Sequence, residues 1–251
     1  MTRSPLHSWD LTAEQARALQ SDLAQQVVVR DLARPPERIA GVDVAYAGDS
    51  DEAVAAAVVL DAATLAPIDQ AVVTYTATFA YTPGLFSFRE APALLAALDA
   101  LTISPDLVIC DGHGIAHPRR FGLASHVGVL LDLPTIGCAK GKLHGQPAPA
   151  GKPVVEAHQS GGTVSIKQRR DAERNAVGPE RGDRTALVDN DETTGWILRT
   201  QTAVNPVYVS PGHRVGLEQS CDLTLACAPT YRLPETTRAA DQLVRQTMAA
   251  R

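Results

Sequence analysis

Apolar and polar positions alternate along the chain in three successive regimes. Between Thr12 and about Val28 the sequence is a helical mixture of Ala, Leu, Gln and Glu. It opens on the capping-box pattern Thr12-Ala-Glu-Gln15 and cannot continue past Pro35-Pro36. Three apolar segments follow, Arg38–Tyr46, Ala53–Leu60 and Ile68–Phe79, separated by the turn-like Gly48-Asp-Ser-Asp51 and by Pro67. Their lengths and close spacing predict an antiparallel meander. Helical Ala/Leu-rich stretches then alternate with short β runs: a helix near Ser87–Leu101, a strand at Leu107–Cys110, a helix near Phe121–Leu131 and a strand at Thr135–Cys138. From Lys142 to Asp191 few large apolar residues occur, which predicts a long irregular loop. Trp196–Leu198 and Val207–Ser210 read as further strands, and Leu217–Cys227 and Thr236–Ala249 as closing helices. The expected fold class is α/β, a mixed sheet of three antiparallel strands followed by alternating helices and strands. It forms one domain spanning residues 1–251.

Composition narrows the function classes. The chain is 45% apolar and 20% charged with no long charge-free apolar run, so a membrane span is excluded. With 23 Lys+Arg against 28 Asp+Glu, the net charge of −5 argues against coating nucleic acid by bulk electrostatics but leaves a localised contact open. The N-terminal Met1–Trp9 has neither a signal-peptide apolar core nor a transit-peptide character, and a cytoplasmic location is expected. Cys110, Cys138, Cys221 and Cys227 form no C-x-x-C pair, and two sit in apolar runs, which predicts reduced structural thiols.

Three carboxylates stand out. Asp43 lies inside Ile39-Ala-Gly-Val-Asp-Val-Ala-Tyr46, where a lone charge is costly unless it is paired, hydrogen-bonded or bound to a cation. Asp111 follows the strand Leu107–Cys110 and opens Gly112-His113-Gly114-Ile115-Ala116-His117-Pro118-Arg119-Arg120. Strand ends in α/β sheets bind ligands and glycines admit close backbone approach, although Asp-Gly is also a plain turn. Glu90, in Ser87-Phe-Arg-Glu90, taken alone reads more readily as the third residue of a capping box on Ser87 than as a catalyst. Converging, the three would suit Mg²⁺ or Mn²⁺ and hence phosphoryl transfer. His113 and His117 have zinc-like spacing, but Gly112, Gly114 and Pro118 oppose a helix there. Ser125-His126 lacks the strand–turn–helix setting of a nucleophile elbow. His117, Lys140 and His213 stand next to Gly or Pro in loops or at strand ends, suited to handling protons or phosphate charge, or simply solvated.

At these residues the sequence resembles the endonuclease V family, deoxyinosine-directed endonucleases with a ribonuclease H-like fold. The resemblance is carried by Ile39–Tyr46, Tyr81-Thr-Pro-Gly-Leu-Phe-Ser-Phe-Arg-Glu90, the run from Asp106 to Gly145, Ser210-Pro-Gly-His-Arg214 and Tyr231-Arg-Leu-Pro-Glu-Thr-Thr-Arg238. It implies a Mg²⁺-dependent cut, with Mn²⁺ able to substitute, at the second phosphodiester 3′ of deoxyinosine in DNA, without base removal. Asp43, Glu90 and Asp111 fall on the family's metal positions, His117 and Lys140 on its auxiliary positions, and His213 on the histidine of a later motif. Tyr81, beside Pro83, falls on a wedge that inserts between bases. The glycine-containing segments around Gly84, Gly112 and Gly137 look like walls of the pocket for an extruded hypoxanthine, with Arg119 also expected against nucleic acid. Thr82 departs from the apolar residue expected beside the wedge.

The same site would serve inosine in RNA, or branched and mismatched DNA; a non-catalytic binder of damaged nucleic acid is the remaining alternative. From Lys140 to Arg184 nine Lys and Arg face five Asp and Glu, so residues 146–192 read as a flexible basic insertion, either a phosphate-contacting arm or a solvated loop. A monomer is expected.

Overall fold

Eight consecutive residues of the second strand, Ala53–Leu60, are buried, a pattern that arises only when both faces of a sheet are covered. The computed structural model describes residues 7–48, 50–148 and 175–250 and shows what covers them. Its strands are β1 (Arg38–Tyr46), β2 (Glu52–Asp61), β3 (Pro67–Thr76), β4 (Leu107–Cys110), β5 (Thr135–Ala139), β6 (Gln146–Pro147), β7 (Arg184–Asp189), β8 (Glu192–Leu198) and β9 (Val207–His213). Its helices are α1 (Ala13–Ala24), α2 (Phe86–Asp99), α3 (Leu123–Leu131), α4 (Leu217–Ala226) and α5 (Glu235–Ala249). Ala55, Ala57 and Val59 pack with α2 on one face, and Val54, Ala56, Val58 and Leu60 meet α5 on the other. The sheet order is β3-β2-β1-β4-β5-β9-β8-β7-β6. The meander β1–β2–β3 is antiparallel, whereas β4 and β5 continue parallel to β1, giving the ribonuclease H-like mixed sheet the sequence predicted.

Local signals are realised where short-range chemistry suffices. Thr12 and Gln15 form the reciprocal capping box, the Gln15 N–H donating to Thr12 Oγ1 (3.2 Å) and the Thr12 N–H to Gln15 Oε1 (2.8 Å). All four cysteines are free and buried, as small hydrophobes in the core. No helix among the described residues is long and apolar enough to cross a membrane.

The stretch expected to be one irregular loop is in part regular. Gln146–Pro147 and Arg184–Asp189 are strands, and β8 begins at Glu192 rather than Trp196. A two-residue turn with positive φ at Asn190 (50°) and Asp191 (63°) joins β7 to β8, the geometry that suits a hairpin's twist. Only Leu187 is fully buried on β7, so the strand's apolar signal was diluted by its half-exposed neighbours. Much of the basic insertion, residues 149–174, lies outside the described residues.

One buried polar contact fixes the start of α2. His126 of α3 is fully enclosed, its Nδ1 bonded to Ser87 Oγ (3.0 Å) and its Nε2 to His7 Nε2 (2.9 Å). Burial first, and then His7, hold its pKa well below the ordinary histidine value. An unfolded chain takes up this proton below about pH 6.5 while the native state refuses it, so native stability is lost as pH falls through that value. Relative to His126→Gln, the wild type should lose about 1.4 kcal/mol of stability per pH unit below pH 6. Urea unfolding at several pH values measures this, and parallel pH profiles would refute it.

Candidate active site

Parallel pairing of β1 with β4 sets Val42 beside Cys110, which brings the next residues, Asp43 and Asp111, to the same edge of the sheet. α2 contributes Glu90 from its second turn, Lys140 follows the end of β5, and α5 contributes Asp241. These five line one cleft of about 480 Å³, together with Phe86, Val44, Val244 and Arg245. α5 reaches β1 because Gly41 has no side chain: a Cβ there would lie 1.9 Å from the Thr236 carbonyl oxygen. One turn further along the helix, Asp241 meets the Asp43 end of the strand.

The electrostatics of this cleft are those of excess negative charge. Burial, then the charges of Asp111 and Asp241, push the Asp43 carboxyl up to about 7. Burial, then Asp43 and Asp111, raise Glu90 well above the ordinary carboxylate range. Lys140 donates from Nζ to the Asp111 carboxylate. Burial works against its charge, yet the Asp111 partnership outweighs it and raises the lysine's pKa. Asp241 is paired with Arg245 at 2.9 Å. Among the described residues no three His, Cys, Asp or Glu stand close enough together to enclose a cation. The four acids ring the cleft, and two of them are held by basic side chains. The donor set is all oxygen, as a hard divalent cation requires, and such an ion would offset the burial and mutual repulsion that Lys140 and Arg89 only partly relieve at Asp43 and Glu90.

Beside the acidic cleft, and sharing Phe86 and Lys140 with it, opens a second pocket of about 390 Å³. Tyr81, Pro83, Gly84, Gly112, His113, His117, Leu123 and Leu143 are among its lining residues. Tyr81 stands at its rim with 68% of its surface exposed, edge-on to Phe86. Gly84 adopts φ +77° and turns its carbonyl to two donors, Arg119 Nη2 (2.7 Å) and His117 Nε2 (3.2 Å). The Arg119 N–H donates to His117 Nδ1 (3.1 Å), so the ring proton resides on Nε2. Burial and Arg119 hold His117 down to about 4, and burial does the same for His113, so both rings are neutral.

The structure thus brings Asp43, Glu90, Asp111 and Lys140 to one cleft and places His117, Arg119, Gly137 and His213 outside it. His117 faces the second pocket, its Nε2 donating to the Gly84 carbonyl and its Nδ1 accepting from the Arg119 N–H, and so braces the Gly84 loop. Arg119 braces the same carbonyl. Gly137 itself lies beneath the turn, where a Cβ would meet Gly114 N at 2.5 Å and Gly112 O at 2.6 Å, while Ala139 and Lys140 of the same segment line the second pocket. His213 pairs with Thr135, at the opposite end of β5 from Lys140, and accepts a hydrogen bond from the Val28 N–H (3.3 Å), so it does not join the acids. Glu90 caps nothing, because α2 starts at Phe86 and Ser87 is bonded to His126. Asp241 was missed. Its spacing between the buried Ala240 and Val244 reads in sequence as the solvated flank of an amphipathic helix, and only the crossing of α5 over β1 turns that flank toward the cleft.

A family model described as Endonuclease V matches residues 21–242. The Endonuclease V of Streptomyces avermitilis is 46% identical over 242 residues, covering 96% of this chain and 94% of that protein. Its crystal structure aligns with a TM-score of 0.81 at 45% identity, over 97% of this chain and 96% of that one. The catalytic domain of human Endonuclease V aligns with a TM-score of 0.79 at 32% identity, over 94% and 96% of the two chains. The Ciona intestinalis Endonuclease V, bound to DNA containing an inosine followed by a ribo-adenosine, shares the fold with a TM-score of 0.77 at 24% identity, over 96% and 99%. From the extent of these matches, the chain belongs to the endonuclease V family.

Proposed function

We propose that this protein is a Mg²⁺-dependent repair endonuclease that nicks DNA at the second phosphodiester bond 3′ to deoxyinosine and leaves the base in place. The observation that carries this reading is the juxtaposition of two cavities with different chemistry. One is ringed by four carboxylates, and the other is mostly apolar and backbone-walled and sized for a base. Lys140 and Phe86 belong to both, so a nucleotide seated in the second places its neighbouring backbone in the first.

Asp43, Glu90 and Asp111, with Asp241 beside them, would close on the ion from their places around the cleft. Bound there, it supplies charge neutralisation at the scissile phosphate and activation of a water. The protein's own groups do the rest. Lys140 presents a fixed positive charge at the junction of the two cavities, where phosphate charge develops. Tyr81 projects from the rim, placed to stack against bases and prop the duplex open, a step that costs least where pairing is already weak. His117 and Arg119 hold the Gly84 carbonyl in one place, so the pocket presents a rigid polar backbone edge to the extruded base. The inosine-containing DNA held by the Ciona protein supports the same substrate class.

End-labelled duplexes carrying one deoxyinosine, one adenine in its place, or inosine in a matched RNA strand test this directly. Cleavage immediately 3′ of the nucleotide that follows the lesion is expected on the first only, in Mg²⁺ and not with chelator. Preferential cutting of the RNA would move the substrate to inosine-containing RNA, and binding without cleavage would leave a damage-binding protein.

A further inference from the structure

The segment Tyr231–Arg238 was prominent in the sequence, yet none of its side chains enters either cavity. Its setting is nevertheless well defined. Arg232 donates to three carbonyls, those of Lys140 (2.7 Å), Asn205 (2.9 Å) and Pro206 (2.8 Å), which pins the loop before α5 against the end of β5 where Lys140 stands. The next residue back, Tyr231, is left 49% exposed, with the guanidinium carbon of Arg238 3.5 Å from its ring centroid. Arg238, Asp241 and Arg245 occupy positions i, i+3 and i+7 of α5, one flank of the helix, and Asp241 and Arg245 line the acidic cleft. At 1.5 Å rise per residue, Arg238 sits only about 5 Å along the axis from Asp241.

We propose that Tyr231 and Arg238 form a second nucleic-acid contact, taking the strand as it leaves the acidic cleft: the ring stacks on a flanking sugar or base and the guanidinium meets a phosphate. Three features favour this occupant. The surface is continuous with the cleft through α5 and Lys140. Arg238 carries charge opposite to that of a phosphate backbone, its Nε 3.4 Å from the Glu235 carboxylate and its guanidinium over the Tyr231 ring, on a chain whose net charge is −5. A ring already stacked against an arginine is held in place, so stacking a further group on its open side costs little side-chain entropy. The inference rests on the substrate class proposed above and extends it beyond the lesion.

The test measures affinity by fluorescence anisotropy in Ca²⁺, on a deoxyinosine duplex with full flanks and on two versions cut back to about two nucleotides, one on the 3′ side and one on the 5′ side. Tyr231→Ala and Arg238→Gln should each weaken binding of the full duplex roughly tenfold, within the range that alanine substitution of a stacking residue gives. Tyr231→Phe should bind as the wild type does. On one truncated duplex, and only one, variant and wild type should bind equally. Wild-type affinity of both variants for the full duplex, or an equal loss on both truncated duplexes, would overturn the proposal. Unchanged melting temperatures confirm that the variants are folded; should Arg238→Gln fail this, Tyr231→Ala and Tyr231→Phe decide alone. Equal wild-type affinity for an undamaged duplex would sink the inosine reading, while the variant-to-wild-type ratios would still decide the flanking contact.

Discussion

Asp43→Asn is expected to abolish strand cleavage and at the same time raise the melting temperature of the protein without metal. The two effects have one cause. Asp43 is pushed up to about 7 by burial and by Asp111 and Asp241, so its ionised form is disfavoured in the native state relative to the unfolded chain. For a carboxyl raised in this way, the native state binds more protons than the unfolded state. Its stabilising contribution is complete below the ordinary carboxylate range and is lost as pH rises toward 7. At pH 8 the ionised group then costs the native state up to about 4 kcal/mol, at 1.36 kcal/mol per pKa unit. Asparagine keeps the shape and removes the charge. A gain of about 5 °C at pH 8 is expected after allowing for relaxation, shrinking toward nothing near pH 4. Millimolar Mg²⁺ should raise the wild-type melting temperature and leave that of Asp43→Asn nearly unchanged, because a cation supplies to the wild type the relief that the substitution supplies to the variant. Nicking of a deoxyinosine duplex should fall by about 10³-fold or more. A variant that cleaves as well as the wild type, or one less stable than it at pH 8 without metal, would refute the assignment of this cleft.

Gly137→Ala should damage both cavities through a position that touches neither. Its Cβ would meet only backbone: Gly114 N at 2.5 Å, Gly112 O at 2.6 Å and His113 C at 2.6 Å. No side chain can rotate away. Gly137 itself is held between Cys110 of β4 and Ser210 of β9, so the displacement must fall on the turn from Asp111 to Gly114. Overpacking of this kind costs about 1–3 kcal/mol, visible as a lower denaturant midpoint. The turn carries Asp111 into the acidic cleft and Gly112 and His113 into the base pocket, so a shift near 1 Å should lower kcat/KM for the deoxyinosine substrate by about 10²-fold even where the protein remains folded. Wild-type kcat/KM in the folded variant would show that the turn is not positioned by this contact.

Much of the architecture follows from short-range rules. The unbroken apolar run of β2, the capping box at Thr12 and the alternation of helix and strand after Ser87 each depend on neighbours in sequence, and each is found where those neighbours place it. β7 escaped because a strand near the sheet's edge needs few apolar residues, and its turn carries Asn190-Asp191, which the surrounding polar composition concealed. In the site, Asp43, Glu90, Asp111 and Lys140 were named in advance by the residues and the family they resemble. The surroundings of His117 and His213 were not legible, since a histidine beside glycine looks the same in sequence whether it braces a carbonyl, holds a distant loop or meets substrate.

The sequence by itself therefore determined which segments must be buried and which carboxylates would be expensive to bury alone, because desolvation acts on each residue in its own strand or helix. Only the tertiary structure decided which charges meet. Asp241 joins Asp43 because α5 settles onto β1 at the one residue, Gly41, that leaves room for its backbone. That contact between distant segments leaves no periodic mark, since its energy comes from the fit of two surfaces rather than from the pattern along either.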